Sequence, residues 1–451
     1  MNGREVHVLM KNKIIIFIAC ILVGASAVFG VYRLVKENDK KKEPEAKDPV
    51  VNTNKSGNYN VDLIKAVHAT QHGNYLVSPY SIEIALQMLG DGAKGESKAQ
   101  IENLIGDRDI PTFTAEKRIS VANAAFIREQ YKTYVNDSYY KNLKGYNADI
   151  VYDAYITPTK INDWVNEHTY GMIPQILEQI DPAFILGIAN AVAIDVEWQQ
   201  SFKCELTSGQ QFTQINGAIM STQMMHQEYV PTAVKYFETS YASGIVIPYK
   251  AYTKDGKISY DEKDEATQLE FVGILPNTDV DDYISKLSKE ELDIDDNIVK
   301  VEEDFVALSL PRFSYSFDFK EFKETLVKLG VKDVFSPDNA DLTGIISREN
   351  MKKMDTDNIY VGEAVHKTYI DLNENGTKAA AVTYFGVYEN TAIGEEPEHT
   401  YKVIEFDKPF AYMIRDSKTK EILFFGVVKD PKLWEGPTCE NEEYKYSFFV
   451  L

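Results

Sequence analysis

Residues 374–383 read Glu-Asn-Gly-Thr-Lys-Ala-Ala-Ala-Val-Thr, and no other stretch constrains the fold as strongly. A strand-like segment, Val365-His366-Lys367-Thr368-Tyr369-Ile370-Asp371-Leu372, precedes it. A polar loop without secondary-structure period follows, ending near His399. Thr and Ala side chains displace little volume, so a run of them can become a strand and slide between strands already present. On the strand period of two, Thr377, Ala379, Ala381 and Thr383 share one side, and Lys378, Ala380 and Val382 the other. No proline and no charge falls on the side of Thr377. Taken alone, Asn375-Gly376 between two strand-like runs is also a hairpin signal.

A length of 451 residues suggests about three domains. No linker-like stretch interrupts residues 59–431, however, and that region is read as one domain. Hydrophobic residues make up 44% of the chain, enough for one large core. The net charge of −21, with no basic run inside the body, argues against a nucleic-acid partner and for a solvated acidic surface. The cysteines are Cys20, Cys204 and Cys439, and at most one disulfide could join the last two, so this is no disulfide scaffold.

Arg4, Lys11 and Lys13 precede an uncharged run from Ile14 to Tyr32, and Arg33 and Lys36 follow it. Residues 1–35 therefore read as a signal peptide, cleaved after Ala25-Ser26-Ala27, or as a signal anchor in the membrane. Both readings place the body outside the cytoplasm, secreted or anchored. With so few cysteines, the chain fits a bacterial exported protein. Residues 36–58 are rich in Lys, Glu, Asp, Asn and Pro and read as a flexible linker. Residues 432–451 form a carboxyl-terminal extension carrying Trp434, Tyr444, Tyr446, Phe448 and Phe449.

Enzyme signals are weak. Gly90-Asp91-Gly92-Ala93-Lys94-Gly95-Glu96-Ser97 resembles a phosphate loop, but Glu96 stands where the lysine belongs, so the stretch reads as a helix end and turn. Asp293-Ile294-Asp295-Asp296-Asn297 resembles the start of a calcium loop, but Ile298 replaces the required glycine, leaving an acidic surface segment. The scattered histidines show no metal spacing. No catalytic residue, metal or cofactor is implied.

Asn74-Tyr75-Leu76-Val77-Ser78-Pro79-Tyr80-Ser81-Ile82 resembles the opening of a second helix in one large family, the serpins. Ala122-Asn123-Ala124-Ala125-Phe126, Ile161-Asn162-Asp163-Trp164-Val165 and Thr169-Tyr170-Gly171-Met172-Ile173 continue the likeness. Asn190-Ala191 with Trp198 and Phe202, Leu310-Pro311-Arg312-Phe313, Asp407-Lys408-Pro409-Phe410 and Phe424-Phe425-Gly426-Val427-Val428 extend it, in order, across residues 59–431. The resemblance implies an α+β serpin fold of three β-sheets and eight or nine helices, with an exposed reactive-centre loop at about 374–398.

It also implies a monomeric protease inhibitor rather than an enzyme, acting as a suicide substrate on a serine protease and perhaps a cysteine protease. Cleavage of the loop lets its upstream half insert into the central sheet as a strand, carrying the acylated protease. The alternative is a serpin-fold binding or chaperone-like protein that does not inhibit. On the family pattern, Glu374, Gly376, Thr377, Ala379, Ala380, Ala381 and Thr383 form the hinge. Ser78, Ser81, Asn190 and His366 match the polar shutter under the central sheet. Trp198, Arg312 and Glu374 match the breach at its top. The default scissile bond is Asn390-Thr391, with Thr391-Ala392 a rival and Tyr388-Glu389 weaker. The absence of Lys and Arg from Val382 to Glu398 disfavours trypsin-like targets and favours elastase-like or subtilisin-like ones. Asn375-Gly376-Thr377 is a glycosylation sequon, and a glycan there would obstruct insertion.

Overall fold

The computed structural model describes residues 56–106, 108–261, 264–377 and 399–431. The segments 1–35 and 432–451, most of the linker 36–58, and Ala379, Ala380, Ala381, Thr383, Asn390, Thr391 and Ala392 lie outside them. The described chain contains nine α-helices among nineteen strands. In chain order the strands are β1 (Tyr75–Val77), β2 (Ile119–Arg128), β3 (Asp149–Asp153), β4 (Leu186–Ile194), β5 (Val196–Glu197), β6 (Ser208–Thr213), β7 (Ile219–Tyr229), β8 (Lys235–Glu238), β9 (Ala242–Thr253) and β10 (Ile258–Ser259). There follow β11 (Ala266–Pro276), β12 (Ile298–Val299), β13 (Phe305–Pro311), β14 (Phe313–Asp318), β15 (Lys367–Asn373), β16 (Gly376–Thr377), β17 (Tyr401–Glu405), β18 (Phe410–Asp416) and β19 (Ile422–Val428).

The largest sheet runs β1-β19-β18-β11-β9-β8-β12, with β10 on β9. Every residue of β18 and β19 is buried. β19 is apolar throughout and β18 is apolar from Phe410 to Ile414, so both are stable only with both sides covered. A second sheet runs β17-β13-β7-β6. The remaining strands form two ladders, β3-β2-β4 and β14-β15-β16-β5. Only Asp195 separates β4 from β5, so these are two parts of one central sheet, split between β4 and β15. The mixed α+β architecture agrees with the sequence reading, but one of the three expected sheets is parted down its middle.

The helix Pro79–Gly90 begins where its sequence dictates. Ser78 caps it by accepting from the backbone N–H of Ser81, and Pro79 opens its first turn. The helix Pro158–His168 covers β2 and β4, with Trp164 edge-on to Phe126 at 5.8 Å in a separate apolar cluster. In β15 buried and half-buried residues alternate, as expected for a strand with one face on the core.

Two expectations need correction. The loop beginning at residue 374 is not exposed at its start: Glu374, Gly376 and Thr377 are buried, and Gly376–Thr377 already forms a strand. The hairpin exists, but its turn is Glu374-Asn375 rather than Asn375-Gly376, because Asn373 pairs with Gly376 and Leu372 with Thr377. Within the acidic segment 293–297, Ile294 is buried and Asp295 pairs with Arg415 at 2.7 Å and Lys420 at 3.2 Å. The acidic side chains Asp295 and Asp296 stay at the surface, as the sequence reading expects, while Ile294 anchors the segment to the body.

Candidate functional site

The top of the central sheet is held by a clasp around Glu374. Arg312 and Glu374 are each 4% exposed. The Arg312 Nε donates to both carboxylate oxygens at 2.6 Å, and Nη2 lies 2.5 Å from Oε2. Thr207 donates its hydroxyl to Oε1 of the same carboxylate. The Phe202 N–H donates to the Glu374 carbonyl at 2.9 Å, and the Trp198 N–H to the Asn375 carbonyl at 2.9 Å. The Trp198 indole N–H donates to the Asn373 carbonyl at 2.9 Å. Trp198 itself is fully buried and stacks on Tyr249 with centroids 4.4 Å apart and planes 9° apart.

β16 fills the space next to this clasp. It pairs antiparallel with β15 on one side and with β5 on the other, Gly376 opposite Glu197 and Thr377 opposite Val196. Gly376 is required by close approach, since a Cβ there would lie 2.0 Å from the Val196 carbonyl oxygen. Thr377 is 3% exposed and its hydroxyl shares a hydrogen bond with the Tyr249 hydroxyl at 2.6 Å.

The buried pair also fixes a prediction. Glu374→Ala would remove the carboxylate that the buried Arg312 guanidinium bonds through Nε and Nη2. Removing one partner of such a pair costs about 3–5 kcal/mol. Urea unfolding of the variant and the parent measures it. A loss below about 1 kcal/mol would mean that the pair behaves as an exposed one.

Below β16 the split continues. Val192 and Ile194 of β4 face Tyr369, Ile370 and Asp371 of β15 across a cleft, with Thr377 among its lining residues. Leu76, Ile414 and Phe424 line it from the large sheet, and Thr169, Met172 and Ile173 from the segment after the helix Pro158–His168. Its volume is about 10 Å³, which admits at most one water molecule. Among the described residues no ladder joins β4 to β15.

A polar relay crosses under this split. The Ser78 N–H donates to His366 Nε2 at 3.1 Å, and the Ser78 hydroxyl to the Leu423 carbonyl at 2.6 Å. The Ser81 hydroxyl donates to Asn190 Oδ1. Asn190 Nδ2 donates to Asn123 Oδ1 at 2.7 Å, and Asn123 Nδ2 to the Tyr146 carbonyl at 2.9 Å. Ser78, Ser81, Asn190 and His366 are thus brought into one network, and so are Trp198, Arg312 and Glu374. Sequence reasoning missed Asn123, Thr207 and Tyr249. An asparagine inside the apolar run of β2, directly opposite Asn190, was the one available signal. Nothing local marks Thr207.

Two buried titratable groups sit on or beside this relay. Burial pushes His366 down to about 4, as suits an imidazole whose Nε2 accepts a hydrogen bond. Burial pushes Glu83, on the helix Pro79–Gly90, up to about 7 despite its 2.5 Å bond from Arg108. The Glu421 carboxylate, also bound to Arg108 at 2.7 Å, adds to the rise. His366 binds its proton less tightly folded than unfolded. Its stabilising contribution is present above pH 6.5 and is lost as pH falls towards 4. Glu83 binds its proton more tightly folded, and its contribution is present below pH 4.5 and lost as pH rises towards 7. Each is worth about 3 kcal/mol, from about 2.5 pH units at 1.36 kcal/mol each. They offset over the same window, so Glu83→Gln should uncover the acid sensitivity of His366. Urea midpoints between pH 7 and 4.5 should fall more steeply in the variant than in the parent. Parallel profiles would remove Glu83 as the compensating group.

A family profile described as "Serpin (serine protease inhibitor)" matches residues 54–431. An "Uncharacterized serpin-like protein" of Methanosarcina mazei is 30% identical over 80% of this chain and 82% of its own. The "Leukocyte elastase inhibitor" of Xenopus tropicalis is 27% identical over 83% of this chain and 97% of its own. The crystal structure of tengpin, a thermophilic serpin, in its native state superposes with a TM-score of 0.66 at 29% identity, covering 83% of this chain and 93% of tengpin.

Proposed function

This chain belongs to the serpin family, and we propose that it inhibits serine proteases as a suicide substrate, by inserting its cleaved loop into the split central sheet. The observation that carries this reading is β16, two residues of the loop already seated between β15 and β5. The cleft between β4 and β15 continues directly from it. Extending the register of β16 would set Ala379 between Ile370 and Ile194, Ala381 between Thr368 and Val192, and Thr383 between His366 and Asn190. Every one of these side chains is small, and the last would arrive at the polar relay. Insertion of about ten to twelve residues would complete backbone hydrogen bonds worth roughly 0.5–1.5 kcal/mol each.

The roles then follow. Glu374, Gly376, Thr377, Ala379, Ala380, Ala381 and Thr383 form the hinge. Arg312, Trp198 and Glu374 hold the opening, while Ser78, Ser81, Asn190 and His366 hold the strands below it. The protease is acylated by the residue before the cut bond, Asn390 or, in the rival assignment, Thr391. An elastase-like or subtilisin-like target suits the loop, and the elastase inhibitors among the relatives support that choice. An extracytoplasmic setting, secreted or anchored through residues 14–35, suits a chain in which Cys204 is disulfide-bonded. Among the described residues no helix is long and apolar enough to cross a membrane, and residues 14–35 lie outside them.

The test is incubation with elastase, subtilisin and chymotrypsin, followed by a denaturing gel and mass spectrometry of the released fragment. The expected result is a covalent complex with at least one of them and a fragment beginning at Thr391 or Ala392. Nicking by every protease without a complex would leave the non-inhibitory binding protein as the reading.

A further inference from the structure

Asn375-Gly376 is a reactive dipeptide held in the hinge. Glycine has no Cβ to shield its backbone nitrogen, so that nitrogen can attack the carboxamide of a preceding asparagine. Here both residues are clamped. The Asn375 N–H donates to Asn373 Oδ1 at 3.0 Å, and the Asn375 carbonyl accepts from the Trp198 N–H at 2.9 Å. Gly376, with a φ of 157°, is seated opposite Glu197 on one side and Asn373 on the other. The Asn375 side chain beside it is only half-buried. The same dipeptide recurs at Asn216-Gly217, exposed in the turn between β6 and β7. The chain thus carries one such pair in an open turn and another in a closed strand.

We propose that Asn375 is a deamidation site whose rate is set by the hinge, a clock that advances only while β16 is out of the sheet. The Gly376 nitrogen gives up its proton and bonds to Asn375 Cγ. The Cγ–Nδ2 bond breaks, ammonia leaves, and a five-membered imide closes. Water opens the ring on either side, leaving aspartate or isoaspartate, and no other reactant is needed. The ring sets a carbon where the Gly376 N–H stands, a position enclosed by the ladder of β15, β16 and β5. The reaction therefore waits for β16 to leave. In isoaspartate the main chain runs through Cβ and Cγ, longer by one carbon or about 1.5 Å. The carbonyl that Trp198 holds becomes a pendant carboxylate. With Glu374 still bonded to Arg312, Gly376 no longer meets Glu197, and the inserting strand loses its register. The changed molecule is a substrate rather than an inhibitor. That last step rests on the inhibitory reading; the chemistry does not.

Peptide mapping of the full chain, aged in warm, mildly alkaline buffer, tests the site, with isoaspartate detected by isoaspartyl methyltransferase. Isoaspartate should accumulate at both pairs, at Asn375 at least about tenfold more slowly than at Asn216, because Asn375 reacts only after local opening. Glu374→Ala should speed Asn375 and leave Asn216 unchanged. Urea below the unfolding midpoint should do the same without a variant. No isoaspartate at Asn375 while Asn216 reacts would remove the site. Equal rates at the two, or no response to urea, would show that the hinge does not gate it. The consequence is read from the denaturation-resistant complex, whose yield should fall with age in step with isoaspartate at Asn375 and hold in Asn375→Gln. An equal fall in Asn375→Gln would overturn the clock. The mapping needs no protease, so it stands or falls separately from inhibition.

Discussion

Under the proposed mechanism, Thr377→Arg should turn this protein from an inhibitor into a substrate. Thr377 is 3% exposed, lies between Leu372 and Val196, and bonds the Tyr249 hydroxyl at 2.6 Å. No carboxylate is among those contacts. An arginine would either bury a guanidinium without a partner, at a cost of several kcal/mol, or keep β16 out of the sheet. Both slow insertion. The outcome of the reaction is a race between insertion and hydrolysis of the acyl-protease, and each 1.36 kcal/mol added to the insertion barrier slows it about tenfold. A penalty near 3 kcal/mol therefore gives the race to hydrolysis. Cleavage at the same bond persists, while the denaturation-resistant complex falls to a few per cent of the parent yield. Lys378→Arg is the control, because the period of two turns residue 378 to the opposite side, and its yield should match the parent. An undiminished yield from Thr377→Arg would remove this residue from the inserting face.

How far the sequence went can be judged at this one segment. The alternation of Thr377, Ala379, Ala381 and Thr383 is a local property, so the small face of the strand was legible from composition and period alone. Pairing is not local. That Gly376 sits where a Cβ would meet the Val196 carbonyl oxygen at 2.0 Å depends on a strand 180 residues earlier in the chain. For the same reason the hairpin turn came out one residue away from the Asn-Gly signal, because contacts to Trp198, Phe202 and Arg312 fix residues 373–375 more strongly than turn preference does. The clasp itself was half legible. Arg312, Glu374 and Trp198 stand in recognisable motifs, whereas Thr207 contributes through a side chain that nothing in its own neighbourhood singles out. The relay behaves alike: Asn123 is meaningful only once β2 is laid opposite β4.

Cutting the loop should raise the melting temperature by tens of degrees. In the uncut chain β16 is tied at both ends, to β15 through the turn Glu374-Asn375 and to β17 through the residues that follow. Among the described residues two, Gly376 and Thr377, are seated between β15 and β5, and the cleft below them holds about 10 Å³. Inserting further residues means moving β4 and β15 apart, and the intact tether to β17 opposes that. Once the tether is cut, insertion adds about ten backbone hydrogen bonds at roughly 0.5–1.5 kcal/mol each. The sum, about 5–15 kcal/mol, equals the whole stability of an ordinary domain. At about 2–4 °C per kcal/mol, the low end of that range already gives a shift of about 10 °C and the middle several tens. Glu374→Lys should act on the uncut protein in the opposite sense. It sets an ammonium against the buried Arg312 guanidinium, opens the clasp and lets an uncut loop insert, its own or a neighbour's. Mild heating should then yield a monomeric inserted form or a ladder of polymers on a native gel, where the parent stays a single band. Melting curves of cut and uncut parent, run beside those gels, decide the matter. If cut and uncut protein melt together, the loop does not insert, the split between β4 and β15 is not a receiving site, and the inhibitory mechanism is wrong for this chain.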